Sequence, residues 1–278
     1  MANREELLII RAARAGQGPA QLALGKRYLF GSASLPQSHA TALHWLEKAA
    51  EQNQQDAWML IGEHIPFAIA QQAGDPLRVA FWYERAFEGG SARAGLVLAI
   101  LVFNSWARAD SMLRQKSLRA LKAAAESGIP DAQWLHAQQM GMREIAAQPA
   151  AVDPSPQSRQ RIEQALDWTT RAARNGVLDA QRTLADYCWA RQDYLKFLFW
   201  AVPMAQELDR RNAGNPARRR PYVGHELALL GRVAQALLLI ADPNTRLIER
   251  YLRIAAEGGA GDAQQAYGLW VARMDGQG

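Results

Sequence analysis

The side chains that could do chemistry in this chain are few, and they stand apart from one another. The five histidines occupy positions 39, 44, 64, 136 and 225, and none has a spacing typical of metal ligands. The sequence contains neither a glycine-rich phosphate loop nor a Gly-x-Ser-x-Gly nucleophile elbow. We therefore expect no catalytic centre, no bound metal and no cofactor.

The cysteine and three of the histidines leave alternatives open. The single cysteine, Cys188, excludes a disulfide within the chain and a cysteine-rich zinc site. It stands where an otherwise similar segment has Tyr28, so we interpret it as a buried, small apolar side chain, with a reactive thiol as the alternative. We interpret His44 as a surface or groove residue. A site shared by His64 and His136, which fall on different expected helices, is a further alternative.

The densest charge lies in one arginine-rich segment. Arg210 and Arg211 are followed by Arg218, Arg219 and Arg220, and the net charge of the chain is +5. Such a basic loop could bind phosphate or an acidic partner, and a solvated loop is the alternative. The segment lacks the interleaved aromatic residues that indicate single-strand binding. The sequence therefore disfavours nucleic acid as the partner.

These residues are positioned by a pattern that repeats along the chain. Trp45 is followed by Ala49 and Ala50, a turn residue at Asn53 and a small residue at Ala57. The same skeleton recurs at Trp82–Ala94, Ala120–Ala132, Trp168–Ala180 and Tyr251–Ala263. A fixed internal period is a stronger guide to the fold than any other sequence signal.

The period divides the whole chain into units. Repeats start near residues 20, 57, 94, 132, 180, 226 and 263, and residues 1–19 form a helical half-repeat. The longer spacings contain insertions, around Pro149 to Pro156 and Asn212 to Pro221. Alanine and glycine at fixed places allow helices to approach closely, while aromatic residues and leucine fill the space between them. We predict one domain, residues 1–278, with about fourteen helices.

Particular residues are expected to end helices or to fill the core. Asn3 with Glu6 has the pattern of a capping box, and Asp75 precedes a first-turn proline. The tryptophans at the repeat position are predicted to be core residues; they are Trp45, Trp82, Trp168 and Trp200. The two insertions are expected to be exposed loops.

The pattern resembles the Sel1-like repeat, a close relative of the tetratricopeptide repeat. In the first full unit the matching residues are Ala20, Leu24, Gly25, Tyr28, Gly31, Ala42, Trp45, Ala49 and Ala50. The resemblance implies an all-α fold, an α/α superhelical solenoid of helix-turn-helix repeats, which binds proteins or peptides and does not catalyse reactions. Many bacterial members serve secretion and envelope systems, and others are cytoplasmic adaptors.

The resemblance also implies where a partner would bind. By analogy with tetratricopeptide repeats, the groove face of a first helix lies two, six, nine and ten residues after the starting alanine. The predicted partner-binding residues are Met59, Glu63, Phe67, Phe103, Trp134, Gln138, Arg182, Asp186 and Trp189. Aromatic residues with adjacent charges suit peptide recognition. The alternative is that the twist between repeats buries several of them.

The leading hypothesis is a non-catalytic scaffold or adaptor that binds a protein segment in its concave groove, with an accessory role in a bacterial secretion complex as one setting. Copies could also associate through the uncapped solenoid ends. A module that binds nucleic acid or anions through the basic loop is the alternative. The polar start of the chain shows no signal peptide, and no run of about 20 apolar residues exists. We expect a cytoplasmic protein without a membrane span, or an exported one if the sequence is part of a longer chain.

Overall fold

The computed structural model describes residues 4–147, 155–213 and 221–275, which form sixteen α-helices and no strand. The all-α prediction is therefore confirmed for this part of the chain. The chain divides into two compact units, Met1–His136 and Ala137–Gly278. The expectation of one uninterrupted solenoid stays a prediction.

The first unit holds the first repeats. Its helices are α1 (Arg4–Arg14), α2 (Gly18–Phe30), α3 (His39–Glu51), α4 (Gln55–His64), α5 (Phe67–Gln71), α6 (Pro76–Glu88), α7 (Ala92–Asn104), α8 (Ser111–Glu126) and the start of α9 (Pro130–Gln139). The second unit continues with α10 (Met142–Ala147), α11 (Pro156–Arg174), α12 (Leu178–Ala190), α13 (Tyr194–Ala213), α14 (Gly224–Leu239), α15 (Thr245–Glu257) and α16 (Gly261–Asp275).

Within each unit, most helices that follow one another in sequence pack against each other, as the helical hairpins of a repeat require; α4 packs on α6, and α10 packs on α12. The prediction of about fourteen helices was wrong for the described residues, because two expected first helices are each divided. One break lies between α4 and α5 and the other between α9 and α10. Gly141, which precedes α10, has a φ of +81°, a conformation that an α-helix does not contain.

The break between α4 and α5 is caused by Pro66. Proline has no N–H to donate, so the carbonyl four residues earlier, that of Gly62, loses its helical partner. Arg93 donates to the Gly62 carbonyl at 2.5 Å and to the Ile65 carbonyl at 3.0 Å, and the buried Tyr83 hydroxyl donates to the same Ile65 oxygen at 3.0 Å. These bonds satisfy the carbonyls that the break leaves without partners.

The predicted turn residues end helices as expected. Gly90 has a φ of +101° and Asn53 a φ of +59°, the left-handed conformation in which glycine and asparagine commonly follow a helix. The other predicted turn positions share this conformation; they are Gly16, Gly128, Gly176 and Gly259. The period therefore located these helix ends correctly.

A repeated hydrogen bond supports four of these turns. In each case a glutamine directly after the starting alanine of a repeat donates its side-chain amide to the carbonyl eight residues earlier. The bonds join Gln21 to Ala13 at 3.3 Å, Gln133 to Ala125 at 3.3 Å, Gln181 to Ala173 at 2.9 Å and Gln264 to Ala256 at 3.1 Å. The last carbonyls of a helix have no partner within it, and this bond satisfies one of them.

The small residues allow the predicted close approach between helices. A Cβ atom added at Gly62 would lie 2.4 Å from the Cβ of Ala86 and 3.0 Å from that of Ala94. Only glycine fits between these helices without a shift of the backbone.

The repeat tryptophans are less uniform than predicted. Trp82 is 7 % exposed and stacks on Trp58, with 6.4 Å between ring centroids, so its core assignment is confirmed. Trp45 and Trp168 are only half-buried, and the core prediction was wrong for them. Trp200 is half-buried as well, but it packs against the core of the second unit. Cations three residues later cover two of these rings: Lys48 lies 5.0 Å from the Trp45 centroid, and Arg171 lies 4.7 Å from that of Trp168. Residues three apart share a helix face, so these rings lie toward the charged surface.

The predicted helix starts have mixed outcomes. Asp75 caps α6 by accepting a hydrogen bond from the Leu77 N–H at 3.3 Å, as expected. Asn3 lies outside the described residues. Its expected partner Glu6 is buried, and its carboxylate accepts hydrogen bonds from Arg27 at 3.0 Å and Ser32 at 2.7 Å. Glu6 therefore ties α1 to α2 and the segment that follows it.

Candidate partner-binding face

The predicted residues of the first unit divide between core and surface. Met59 and Phe67 are half-buried and pack against the core, whereas Glu63 is exposed. Phe103 is half-buried and contacts Trp106 edge-on, with 5.8 Å between centroids. Trp106 is 40 % exposed, so the offset rule selected its neighbour and missed the more accessible ring.

Trp134 does not lie on an accessible surface, and its prediction as a groove residue was wrong. Its side chain is 7 % exposed. The two preceding residues, Ala132 and Gln133, are also buried, so this turn of α9 is covered on successive faces. Packing at the start of the repeat therefore accounts for the burial. Gln138, one turn later, is half-buried.

The second unit brings two predicted residues together with one that was missed. Asp186 on α12 accepts a hydrogen bond from Arg232 on α14, with 2.9 Å between Oδ1 and Nη1. The Arg232 guanidinium also lies 5.5 Å from the ring centroid of Trp189. Trp189 is half-buried, and Phe197 lies 5.0 Å from it. Arg232 could have been found, because it stands six residues after the start of its repeat, as Asp186 does.

A cavity of about 550 Å³ lies between α12 and α14 and is floored by α13. We call it the α12–α14 cavity. Its apolar lining comprises Leu178, Ala185, Phe197, Met204, Leu208, Ala228 and Leu229. Its charged lining comprises Arg182, Arg211 and Arg232 together with Asp186, Glu207 and Glu226. Such a mixture of apolar floor and a few polar groups is typical of a ligand site.

A second cavity, of about 480 Å³, lies against α10 and α12 and includes Arg143, Thr183 and Trp189. Asp186 and Arg232 line both cavities, so their ion pair forms the wall that the two share. The first helices α12 and α14 thus carry two adjacent concave surfaces, each lined by polar and apolar side chains. Arg182, at the other end of α12, is exposed and lies 3.8 Å from Asp179.

The predicted basic loop is only partly described. Arg218, Arg219 and Arg220 lie outside the described residues. Arg210 and Arg211 lie in α13 and not in a loop, contrary to expectation, since this helix continues to Ala213.

Both of the described arginines form ion pairs with glutamates. Arg210 pairs with Glu207 at 2.9 Å, and Arg211 makes a bidentate pair with the buried Glu226 at 2.9 and 3.2 Å. A two-point pair of this kind fixes the guanidinium and neutralises its charge. Arg211 therefore acts within the fold of the second unit, whereas Arg210 forms an exposed pair on the surface of α13.

Cys188 and His64, which the sequence offered as candidates for chemistry, pack against other side chains of the fold. Cys188 is 6 % exposed and packs in the core of the second unit, which confirms its interpretation as a buried residue. Burial raises the pKa of its thiol because it disfavours the charged thiolate. The His64 ring contacts Phe30 edge-on, with 5.2 Å between centroids.

No group of three or more potential metal ligands occurs among the described residues. Within the same part of the chain, every helix is too short or too polar to cross a membrane.

Comparison with known proteins finds one family model and several similar solved structures. Residues 18–54 and 158–177 match the family model of the Sel1 repeat. A Sel1 repeat protein from Oxalobacter formigenes is 24 % identical, over 73 % of this chain and 78 % of that protein, with a TM-score of 0.44. A protective antigen of uropathogenic Escherichia coli strains, which displays an SLR fold, is 19 % identical with a TM-score of 0.43. That likeness covers 96 % of this chain, which spans 59 % of the antigen's chain.

The helical hairpins and their period define the chain as an all-α helical-repeat protein. The first matched segment coincides with the hairpin of α2 and α3, and the second covers most of α11 and the turn before α12. The two matched segments support the resemblance to Sel1-like repeat proteins that the sequence pattern indicated. Repeats of this family generally mediate protein–protein interaction.

Proposed function

We propose that the chain is a non-catalytic scaffold that binds a segment of a partner protein along the first-helix face of its repeats, chiefly in the second unit. One observation carries the proposal. Asp186 and Arg232, at the same offset in successive repeats, meet at 2.9 Å on the wall between two cavities. An aromatic ring, charged groups and concave surface are thereby combined on one face, as peptide recognition requires.

Site-specific photo-crosslinking in the native cell tests this proposal. A photoreactive amino acid at Thr183 or Gln235, which line cavities on this face, should form crosslinks to a second protein. The same amino acid at Arg253 of α15 is the control, because Arg253 is exposed and lies on a second helix. Equal crosslinking from Arg253, or crosslinking from that position alone, would show that the partner binds another face.

Self-association is proposed from the exposed apolar residues of α1 and α16. Leu7 and Leu8 are 47 % and 57 % exposed, and Leu269 is 69 % exposed. Apolar surface of this kind is commonly covered by further protein. Sedimentation of the full chain, with and without Leu8→Asp and Leu269→Asp, should show an association that the substitutions abolish. A monomer at all concentrations would refute it.

The remaining functional expectations stay predictions. They include the secretion-complex setting, the cytoplasmic location and anion binding by the arginine segment. A salt titration addresses the last of these, since phosphate contacts give a steep loss of affinity with salt.

A further inference from the structure

The α12–α14 cavity lies beside α13, a second helix that is longer than the regular repeat allows. The second helices α3 and α6 have 13 residues each, whereas α11 has 19 and α13 has 20, so both extend beyond the repeat length. The extension of α13 supplies Leu208 and Arg211 to the cavity lining. Positions at which a repeat protein departs from its regular packing are expected to be functional.

The floor of the cavity suits an apolar side chain. Phe197 and Met204 are buried at 1 % and 9 % exposure, so they form a fixed surface. Leu178, which also lines the cavity, is 60 % exposed and has apolar area still in contact with water. A ligand side chain that covered Leu178 would remove this area from water, a favourable change of about 25 cal/mol per Å².

The rim of the cavity has one arginine that is less engaged than the others. Both oxygens of buried Glu226 bind Arg211, and Asp186 binds Arg232 at 2.9 Å. Among the described residues, the nearest acidic oxygen to Arg182 is that of Asp179, 3.8 Å away, which is beyond hydrogen-bonding distance. Arg182 therefore keeps donors with which it can bind an incoming carboxylate in two-point geometry.

We infer that the α12–α14 cavity selects a partner segment in which an apolar side chain stands beside an aspartate or glutamate. The apolar side chain enters against Phe197, Met204 and Leu178, and the carboxylate binds Arg182. A lysine or arginine in place of the carboxylate binds less well, because it would meet the like charge of Arg182; the acidic Glu207, which also lines the cavity, is already paired with Arg210. This inference rests on the proposed function and specifies the chemistry of the segment bound.

The experiment selects random peptides of about a dozen residues, displayed on phage, against the full chain. The enriched peptides are then synthesised and their affinities measured by fluorescence anisotropy. We expect them to share an acidic residue next to an apolar one. Arg182→Glu should weaken binding by more than about tenfold, which corresponds to about 1.4 kcal/mol. Arg253→Glu makes the same charge change on α15, away from this cavity, and should have no effect.

Further measurements test the apolar contact and distinguish an effect of charge on binding from unfolding of the variant. Leu178→Ser should weaken binding, whereas Leu239→Ser should not, although Leu239 is equally exposed at 61 % and does not line the cavity. A peptide whose acidic residue is changed to lysine should bind Arg182→Glu better than the unchanged protein. This reversal cannot result from unfolding of the variant.

The possible outcomes distinguish the inference from the proposed function. Peptides without an acidic residue, or acidic peptides insensitive to Arg182→Glu, would overturn the inference. If substitutions at Trp189 or Gln235 weakened the binding of such peptides, the proposed binding face would stand. If no peptide were enriched, or none responded to any substitution on the first-helix face, both would fall.

Discussion

Asp186 and Arg232 are 46 residues apart in the sequence and form a direct ion pair, with 2.9 Å between Asp186 Oδ1 and Arg232 Nη1. Each stands six residues after the first residue of its repeat, at Ala180 and Glu226. The contact shows that equivalent positions of these two successive first helices lie side by side. It links the period of the sequence to a physical surface on the second unit.

We expect this pair to contribute little to folding. The two side chains are 59 % and 41 % exposed, so water competes with the ion pair and salt screens it. A double-mutant cycle with Asp186→Ala and Arg232→Ala, followed by urea unfolding, should give a coupling of about 0.2–1 kcal/mol that falls with added salt. A salt-independent coupling above about 2 kcal/mol would show that the pair holds the repeats together.

Trp134 is expected to stabilise the fold, because it is buried. Trp134→Ala should lower the free energy of unfolding by about 3–5 kcal/mol, the usual cost of removing a large buried aromatic side chain. Trp106→Ala is the control, since Trp106 is 40 % exposed and should cost clearly less. Chemical denaturation measures both. Equal losses, or a stable Trp134→Ala protein, would contradict the role assigned by burial.

The contrast between Trp134 and Arg182 shows why the site was only partly predictable. Both stand two residues after a starting alanine, yet Trp134 is buried and Arg182 is exposed. The offset gives a direction on an ideal helix, but the elements packed around that helix decide exposure. Arg232 was missed because the predicted residues ended with the repeat that starts at Ala180. Even so, the same counting from Glu226 reaches it.

The fold was more predictable than the site, because its signals are local. Gly90 and Asn53 mark helix ends through their own backbone preferences, and the period shows that the ends recur. The glutamine bonds were missed because Gln21 and its counterparts follow only four of the starting residues. Trp58 and Gly95 stand at the same position in other repeats. The break at Pro66 could have been predicted, since proline inside a helix leaves a carbonyl unpaired.

Replacing Gly62 even by alanine should destabilise the fold. The added methyl group would lie 2.4 Å from the Cβ of Ala86, far inside contact distance, so the helices would have to separate. We expect Gly62→Ala to destabilise the protein by about 1–3 kcal/mol, the usual cost of overpacking. In α16, Gly268→Ala meets no atom within 4 Å and should be neutral or stabilising, because alanine favours helix. Thermal melts of the two variants should shift in opposite directions or by clearly different amounts.

Glu47 and Trp82 lie close together, and their polar atoms are poorly hydrogen-bonded. Neither Glu47 Oε1 nor Trp82 Nε1 has a hydrogen-bond partner of ordinary geometry among the described residues. Burial raises the pKa of Glu47, because it disfavours the charged carboxylate, and the Arg78 guanidinium at 3.8 Å only partly opposes this. As the pH rises through the folded pKa of Glu47, this carboxyl therefore ionises in a place that disfavours its charge.

The pH dependence follows from the direction of that shift. A carboxyl whose pKa is higher in the folded protein binds its proton more tightly there. Stability is therefore lost as the pH rises from the ordinary value of Glu47 through its folded pKa. Glu47→Gln removes the charge, so it should raise the melting temperature at pH 7. The gain should vanish below about pH 4, where the carboxyl is protonated in both states.

Glu84 provides the matched control for this prediction. It stands two residues after Trp82, as Glu47 does after Trp45, and the two side chains are similarly exposed, at 12 % and 13 %. Glu84, however, pairs directly with Lys116. Glu84→Gln loses that ion pair and should lower the melting temperature at pH 7 or leave it unchanged. If both variants responded with the same sign at neutral pH, the environment of Glu47 would not be the cause, and the effect would belong to the repeat position itself.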